Sequence, residues 1–387
     1  MNEINSLCHW LEIDLDKLAA NFAAVQDKVG GDIIAVVKND AYGFGAVQCA
    51  KTFVEAGAKM LAVTTLYEAL ELREAGISAP VLVFLPPLPG EAAYFAEYDL
   101  TATVDSQFTL QTLAAVGQPL NCHIKLNTGM NRLGVDTEQL ADLLAAFKQQ
   151  DNLHLTGAYS HLATALEQDK TFAEHQIAEF ERQRQQILQA GFEGVCFHLA
   201  NSAGALRFPQ ARFDAVRLGS VLYGQLGMAK SLGVALAEPF RAKARIVAVR
   251  DLKKGETVGY GREFCAPRNM RIAVVPFGYG DGFGVQAASR PLTVKDSVQT
   301  MSRNVGKLLL GRYQRCLYYQ GKPLAVLGRV AMQSLMVDIG DLPLAVGDVV
   351  EAPMRRTSAS ARLPRVYLQN GEVCAVRSYV SAAIRQE

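Results

Sequence analysis

Ile33-Ile34-Ala35-Val36-Val37-Lys38-Asn39-Asp40-Ala41-Tyr42-Gly43-Phe44-Gly45 begins as a core strand and ends as a turn. Its first five residues are apolar without alternation, the pattern of a strand covered on both faces in a parallel sheet. Lys38 closes that strand, and turn formers with one tyrosine among them follow before helical spacing resumes. An amine held at the edge of a dry core can lose its proton and attack an aldehyde. A strand-end lysine taken alone more often lifts its charge into water. The rest of the chain shifts that balance.

Seven more short apolar runs follow, at Met60–Thr64, Val81–Leu85, Thr101–Val104, Cys122–Leu126, His154–Tyr159, Val195–Leu199 and Asp214–Leu218. Segments of helical spacing such as Leu66–Ala75 and Glu174–Gln189 lie between them. Eight strand–helix units in about 200 residues predict a (β/α)8 TIM-type barrel, whose chemistry gathers at the carboxyl ends of the strands. An open doubly wound sheet is the alternative, but no G-x-G-x-x-G follows the first strand. Near Pro239 the pattern changes to strand-rich text with glycine turns, at Arg245–Val249, Arg271–Val275, Pro323–Leu327, Leu335–Ile339 and Asp348–Glu351. The expectation is a barrel over residues 1–238 and a mainly β domain over 239–387. The charged, weakly patterned stretch from Gly284 to Gln320 reads as an insertion or a surface excursion.

The bulk numbers agree with a two-domain globular protein: 387 residues, half of them hydrophobic. Basic and acidic residues nearly cancel, 39 against 38, and no basic stripe carries interleaved aromatics, so a nucleic-acid partner is not expected. Seven scattered cysteines without a C-x-x-C argue against a disulfide framework or a metal site and for a reducing compartment. The amino-terminal residues lack the apolar core of a signal peptide, and no run reaches the length of a membrane span. A cytoplasmic protein is the expectation.

The polar residues at the strand ends are unevenly spread. Lys38 and Tyr42 follow the first strand, Lys125, Asn127 and Arg132 the fifth, His161 the sixth, Asn201 and Ser202 the seventh, and Arg217, Gly219 and Ser220 the eighth. The second to fourth strands offer little that is charged. A lysine, two arginines, a histidine and hydroxyl and amide donors on one rim suit an anionic ligand. Each has a plainer reading: Ser202 as a helix cap, Arg217 in an ion pair, His161 as a satisfied core histidine. Together, a reactive amine and a phosphate cradle on a barrel point to pyridoxal phosphate. In the β domain Tyr260 and Tyr279 each stand between glycines, and a tyrosine beside a cation can exchange protons.

With these segments in view, the sequence resembles the alanine racemase family, the type III fold of pyridoxal-phosphate enzymes. The resemblance rests on AVVKNDAYGFG at 35–45, KLNTGMNRLG at 125–134, HLANSAGALRFP at 198–209, VRLGSVLYG at 216–224, VGYGREF at 258–264, PFGYGDGF at 276–283 and LGRVAMQSLMVDIG at 327–340, in order. It implies a homodimer that interconverts L- and D-alanine with two bases. Lys38 matches the Schiff-base lysine and first base, and Tyr260 matches the second base, reaching a partner subunit's site. Tyr42, Ser202, Gly219 and Ser220 match phosphate contacts, with Asn201 beside them. Arg217 matches the arginine facing the pyridine nitrogen, His161 its support, and Arg132 the residue near the phenolic oxygen. Lys125 matches a lysine carbamylated in many members, and Met332 and Tyr279 match the substrate edge given by the partner.

Several positions depart from the family pattern. Phe44 stands for histidine, Asn127 and Gln333 for acids, Leu166 for aspartate, Val285 for arginine and Ala361 for tyrosine. These losses group around the entrance and the side-chain space of the substrate. They raise the expectation of a wider or differently polar pocket, and so of a racemase for a bulkier amino acid such as serine. Two other readings are a decarboxylase of basic amino acids and a pyridoxal-phosphate carrier. The first lacks its nucleophile segment here, and the second is usually a lone barrel.

Overall fold

The first strand of the chain, β1 (His9–Asp14), buries Trp10, Leu11 and Ile13 and leaves its polar residues outward. It does not belong to the barrel. In the computed structural model, which describes residues 3–285, 302, 316–354 and 358–378, residues 15–239 form one compact unit. The residues before 15 group with those from 240 onward. Sequence reading assigned residues 1–14 to the barrel; pairing corrects this. β1 lies antiparallel to β10 (Phe240–Arg245) and parallel to β19 (Arg365–Gln369), partners more than 200 residues away.

The eight apolar runs of residues 33–218 all form strands: β2 (Asp32–Val36), β3 (Met60–Val63), β4 (Val81–Val83), β5 (Ala102–Val104), β6 (Leu120–Lys125), β7 (Leu153–Tyr159), β8 (Cys196–His198) and β9 (Ala215–Leu218). They run parallel in sequence order, β2 to β4 and β5 to β8, with β9 returning beside β2. Two narrower seams close the ring. A bridge at Leu82 and Thr101 joins β4 to β5. Backbone bonds from Asp214 to Phe197 (3.0 Å) and from Arg217 to Ala200 (3.0 Å) join β9 to the chain at β8. This is the (β/α)8 barrel that the strand count predicts. Helices separate the strands, and each turns an apolar stripe inward. Leu66–Glu74, for instance, buries Leu66, Ala69 and Leu72 and starts with a capping box at Thr65.

The second unit is built on one ten-stranded sheet. Besides β1, β10 and β19 it contains β11 (Ala248–Leu252), β14 (Met270–Val275), β15 (Cys316–Tyr319), β16 (Lys322–Leu327), β17 (Leu335–Asp338), β18 (Val349–Ala352) and β20 (Glu372–Arg377), in the order β11-β14-β17-β16-β15-β18-β10-β1-β19-β20. The two-residue strands β12 (Thr257–Val258) and β13 (Phe264–Cys265) form a separate hairpin around Tyr260. The strand expected at Arg245–Val249 falls across the break between β10 and β11. Ile246 turns away there to donate to Asp348. Most of the stretch read as an insertion, residues 286–301 and 303–315, lies outside the described residues.

Candidate active site

Four consecutive residues after Lys38 lie in the left-handed region: Asn39 (φ 52°), Asp40 (φ 51°), Ala41 (φ 51°) and Tyr42 (φ 57°). For L-residues this costs about 1–2 kcal/mol each, so surrounding structure must impose it. The holding contacts are clear. Ala41 N–H donates to Val37 at 2.8 Å, Gly45 N–H to the Asp40 carbonyl at 2.9 Å, and Ala46 N–H to Asp40 Oδ1 at 2.9 Å. Ala41 and Phe44 are fully buried, and Tyr223 packs on Tyr42 and Phe44 with ring centroids 4.9 and 5.1 Å away. The tight turn leaves Lys38 at the strand end and brings Tyr42 round to the same cavity. Burial, and secondarily Arg132, lower the Lys38 pKa, and Glu68 opposes them.

That cavity, of about 800 Å³, opens at the carboxyl ends of the barrel strands. Lys38, Tyr42, Lys125, Arg132, His161, Asn201, Ser202, Arg217, Gly219 and Ser220 all line it. Ten of the eleven strand-end residues singled out from sequence thus meet in one place; the eleventh, Asn127, is not among the lining residues. Glu167 is the single carboxylate among the lining residues, against four lysine and arginine side chains. The remaining lining is largely apolar and includes Phe84, Met130, Leu133 and Leu166.

Arg217 is buried without a carboxylate. One terminal nitrogen donates to the His198 carbonyl at 2.6 Å and to His198 Nδ1 at 2.9 Å. The other donates to the carbonyls of Ser160 and Leu199 and faces His161 Nδ1 at 3.4 Å. The Nε–H is the donor left over for a ligand. Because a guanidinium only donates, His198 Nδ1 must accept, so its Nε2 carries the proton and donates to His123 Nδ1 at 3.0 Å. His161 lies between two donor groups, with Arg217 facing its Nδ1 and the Asn201 amide nitrogen facing its Nε2 at 3.3 Å. Desolvation, then Arg217, lowers the pKa of all three histidines, that of His123 to about 3, so they stay neutral. Burial brings Arg217 down only to about 10, which leaves it charged at neutral pH. Tyr159 stacks on His198, its ring 5.1 Å away, and bonds Thr103 through its hydroxyl at 2.9 Å.

A second group gathers at the start of the short helix Ser202–Arg207. Ser202 Oγ accepts from Gly219 N–H at 3.1 Å and from Val221 N–H at 3.4 Å, which leaves its own proton to donate outward. A Cβ on Gly219 would stand 2.1 Å from the Tyr42 hydroxyl, so only glycine lets the chain pass that phenol. Burial raises the Tyr42 pKa to about 12, which keeps the hydroxyl a donor. Hydroxyl donors around a side-chain-free backbone turn, beside surplus positive charge, fit a phosphate monoester.

Lys125, at the end of β6, is buried, donates to the Leu126 carbonyl at 3.3 Å and lies over the face of Tyr159 at 4.9 Å. Burial first, then Arg217 and Arg132, push its pKa far down. The loop carrying Arg132 is pinned by Asn127, which accepts from the N–H groups of Gly129 (3.2 Å) and Asn131 (3.1 Å) and donates to Asp136 (2.7 Å). Only an amide can do both, which accounts for asparagine here: an acid would face Asp136 with like charge.

Tyr260, Tyr279 and Met332 belong to the β unit and are exposed, Tyr260 by 69%. Tyr260 stands on a turn between Gly259 (φ 74°) and Gly261 (φ 69°), and the turns of Tyr279 and Met332 are joined by Gly280 N–H to Met332 at 2.9 Å.

Comparison with known proteins bears on this arrangement. The family profile described as "Alanine racemase, N-terminal domain" matches residues 13–226, and "Alanine racemase, C-terminal domain" matches 240–364. The chain belongs to the alanine racemase family. A protein named alanine racemase from Nostoc sp. is 35% identical over 354 residues, covering 88% of this chain and 85% of its own. Alanine racemase 1 of Bacillus subtilis is 32% identical over 95% of each chain. Among solved structures, an alanine racemase of Clostridium difficile aligns with TM-score 0.84 at 26% identity over 97% of this chain and 99% of its own. One from Bacillus anthracis with bound L-Ala-P aligns at 0.80 and 28%, over 97% and 98%. None of these names supports the expectation of an amino acid bulkier than alanine.

Of the positions read as departures from the family pattern, Phe44 lies in the barrel core, whereas Leu166 lines the cavity and is 61% exposed. Val285, Gln333 and Ala361 are exposed positions of the β unit. Sequence reasoning missed the supports of the site. Glu68 announces itself only as the last residue of a T-x-x-E capping box after β3. His123 and Tyr159 sit inside strands and look like core residues until their partners are known.

Proposed function

We propose that this chain interconverts L- and D-alanine with pyridoxal 5'-phosphate on Lys38, using Lys38 and Tyr260 as the two bases in a homodimer with shared sites. The observation that carries the reading is the gathering of basic side chains, Lys38, Lys125, Arg132 and Arg217, around one cavity with a glycine-walled cradle at Tyr42 and Gly219. No helix among the described residues is long and apolar enough to cross a membrane, and the scattered cysteines, without a C-x-x-C, fit work in the reducing cytoplasm.

The bound cofactor would draw electron density from the substrate's Cα and so make its C–H acidic. The protein's part is to bind, orient and move protons. Tyr42, Ser202, Gly219 and Ser220 would hold the phosphate, with Asn201 fixing the backbone by accepting from Gly204 N–H at 2.9 Å. Arg217 would present its Nε–H to the ring nitrogen. The Arg217 charge would disfavour a second positive charge at that nitrogen, which would temper the electron demand and disfavour transamination. A lysine of lowered pKa is free to accept a proton at Nζ once the substrate amine displaces it. Tyr260 of the partner subunit would return a proton from the opposite face. Arg132 would face the phenolic oxygen, and Met332 and Tyr279 would edge the substrate. The neutral amine of Lys125 is the form that adds carbon dioxide with loss of one proton, and the resulting anion would sit among Arg132 and Arg217.

The test supplies the purified chain with pyridoxal phosphate, reduces it with borohydride and maps the modified residue. In parallel, L-alanine in deuterated water should give D-alanine labelled at Cα. Fixation to another side chain, or carbon dioxide release instead of inversion, would refute the proposal.

A further inference from the structure

Glu68 lies on the helix after β3, a rim position to which the racemase chemistry above gives no role. As the third residue of a capping box it needs one oxygen for the Thr65 N–H, which Oε2 accepts at 3.0 Å. Its contacts exceed that task. Oε2 also accepts from Thr64 N–H at 2.7 Å, at the end of β3, and Oε1 accepts from Asn39 N–H at 2.5 Å. Asn39 directly follows Lys38 and is the first of the four left-handed residues, so the Asn39 N–H has no carbonyl within its own turn. Glu68 is also the carboxylate that acts on the Lys38 amine, against Arg132 from the loop after β6, while the neutral His161 faces it from the loop after β7.

We propose that Glu68 is a positioning residue for Lys38: its two oxygens tie the left-handed turn to the end of β3, and its charge stands opposite Arg132 at the amine. Both oxygens accept, so no amide can replace the carboxylate. Whichever way a glutamine turns, its NH2 meets an N–H donor.

The inference rests on Lys38 as the cofactor-bearing lysine, and three holoenzyme variants separate its parts. Glu68→Gln removes charge and one acceptor. Glu68→Asp keeps charge but draws it back by one methylene. Thr65→Ala weakens the helix cap alone. Both Glu68 variants should lose roughly ten- to a hundred-fold in kcat with little change in KM, the expected effect of a misplaced reacting group. Glu68→Gln alone should shift the pH midpoint of the resting cofactor's absorbance downward, by about half a unit or more, because the positive form of the lysine nitrogen loses its counter-charge. Thr65→Ala should lower the unfolding temperature and leave kcat and the midpoint in place. If the Glu68 variants behave like Thr65→Ala, with lower unfolding temperature only, Glu68 is a plain helix cap and the proposal falls. Borohydride mapping of the parent enzyme separates the other failure: fixation away from Lys38 would overturn the lysine assignment, and this proposal with it.

Discussion

Arg217 is held by carbonyls and imidazoles rather than by a carboxylate, and this has a consequence for stability. A carboxylate would neutralise the cation; neutral histidines orient it while leaving its charge for a ligand. The arrangement works only while His123 and His198 stay unprotonated. His123 titrates at about 3 in the folded chain against 6.5 in the unfolded one. A depressed histidine pKa means that the unfolded chain binds the extra proton first. Stability from this group is therefore complete above 6.5 and is lost progressively as pH falls toward 3. At pH 5 the loss from His123 is about 2 kcal/mol, and His198 acts in the same direction. Urea unfolding at pH 7.5 and pH 5 should show this drop. His123→Gln, which still accepts from His198 but does not titrate, should show a clearly smaller one. Equal drops in the two proteins would place the acid sensitivity elsewhere.

Strands β6 and β7 are shaped around that histidine. Gly157 of β7 pairs with His123 of β6, at a register shift that follows Cys122. A Cβ at Gly157 would come within 2.5 Å of the His123 ring, so the glycine is the floor on which the imidazole lies. Gly157→Ala should cost roughly 1–3 kcal/mol through overpacking and push His123 off His198. Thermal unfolding and the turnover rate should both fall; an unfolding temperature equal to the parent's would contradict this view of the strand pair. Elements of this kind explain what the sequence made legible. Eight short apolar runs set between segments of helical spacing sufficed for β2 to β9, because burial on both faces is written locally in residues such as Ile33–Val37. The site's cations were legible because polar residues at the ends of such strands are conspicuous. The left-handed turn was not, since Ala41 and Tyr42 carry no preference for positive φ and are held there by Glu68-anchored Asn39 and by Tyr223, distant in sequence. β1 was misassigned for the same reason: its alternation marks a half-buried strand but not which sheet will accept it.

At the scale of the whole molecule, the residues proposed for the chemistry are divided between two units of the chain. Lys38 and the cradle belong to the barrel, and Tyr260, Tyr279 and Met332 stand exposed on the β unit. In a closed two-fold dimer each β unit would serve the neighbour's barrel. That arrangement makes a sharp genetic prediction. A Lys38→Ala chain and a Tyr260→Phe chain should each be nearly inactive alone. When they are co-expressed and pair at random, half of the dimers are mixed. Each mixed dimer has one site with both defects and one with neither. The mixture should therefore recover about a quarter of parental activity. If Tyr260 instead acted on Lys38 of its own chain, every site in every dimer would carry one defect and mixing would restore nothing. Recovery at the level of the separate variants would thus reject the shared site while leaving the barrel's cofactor cradle intact.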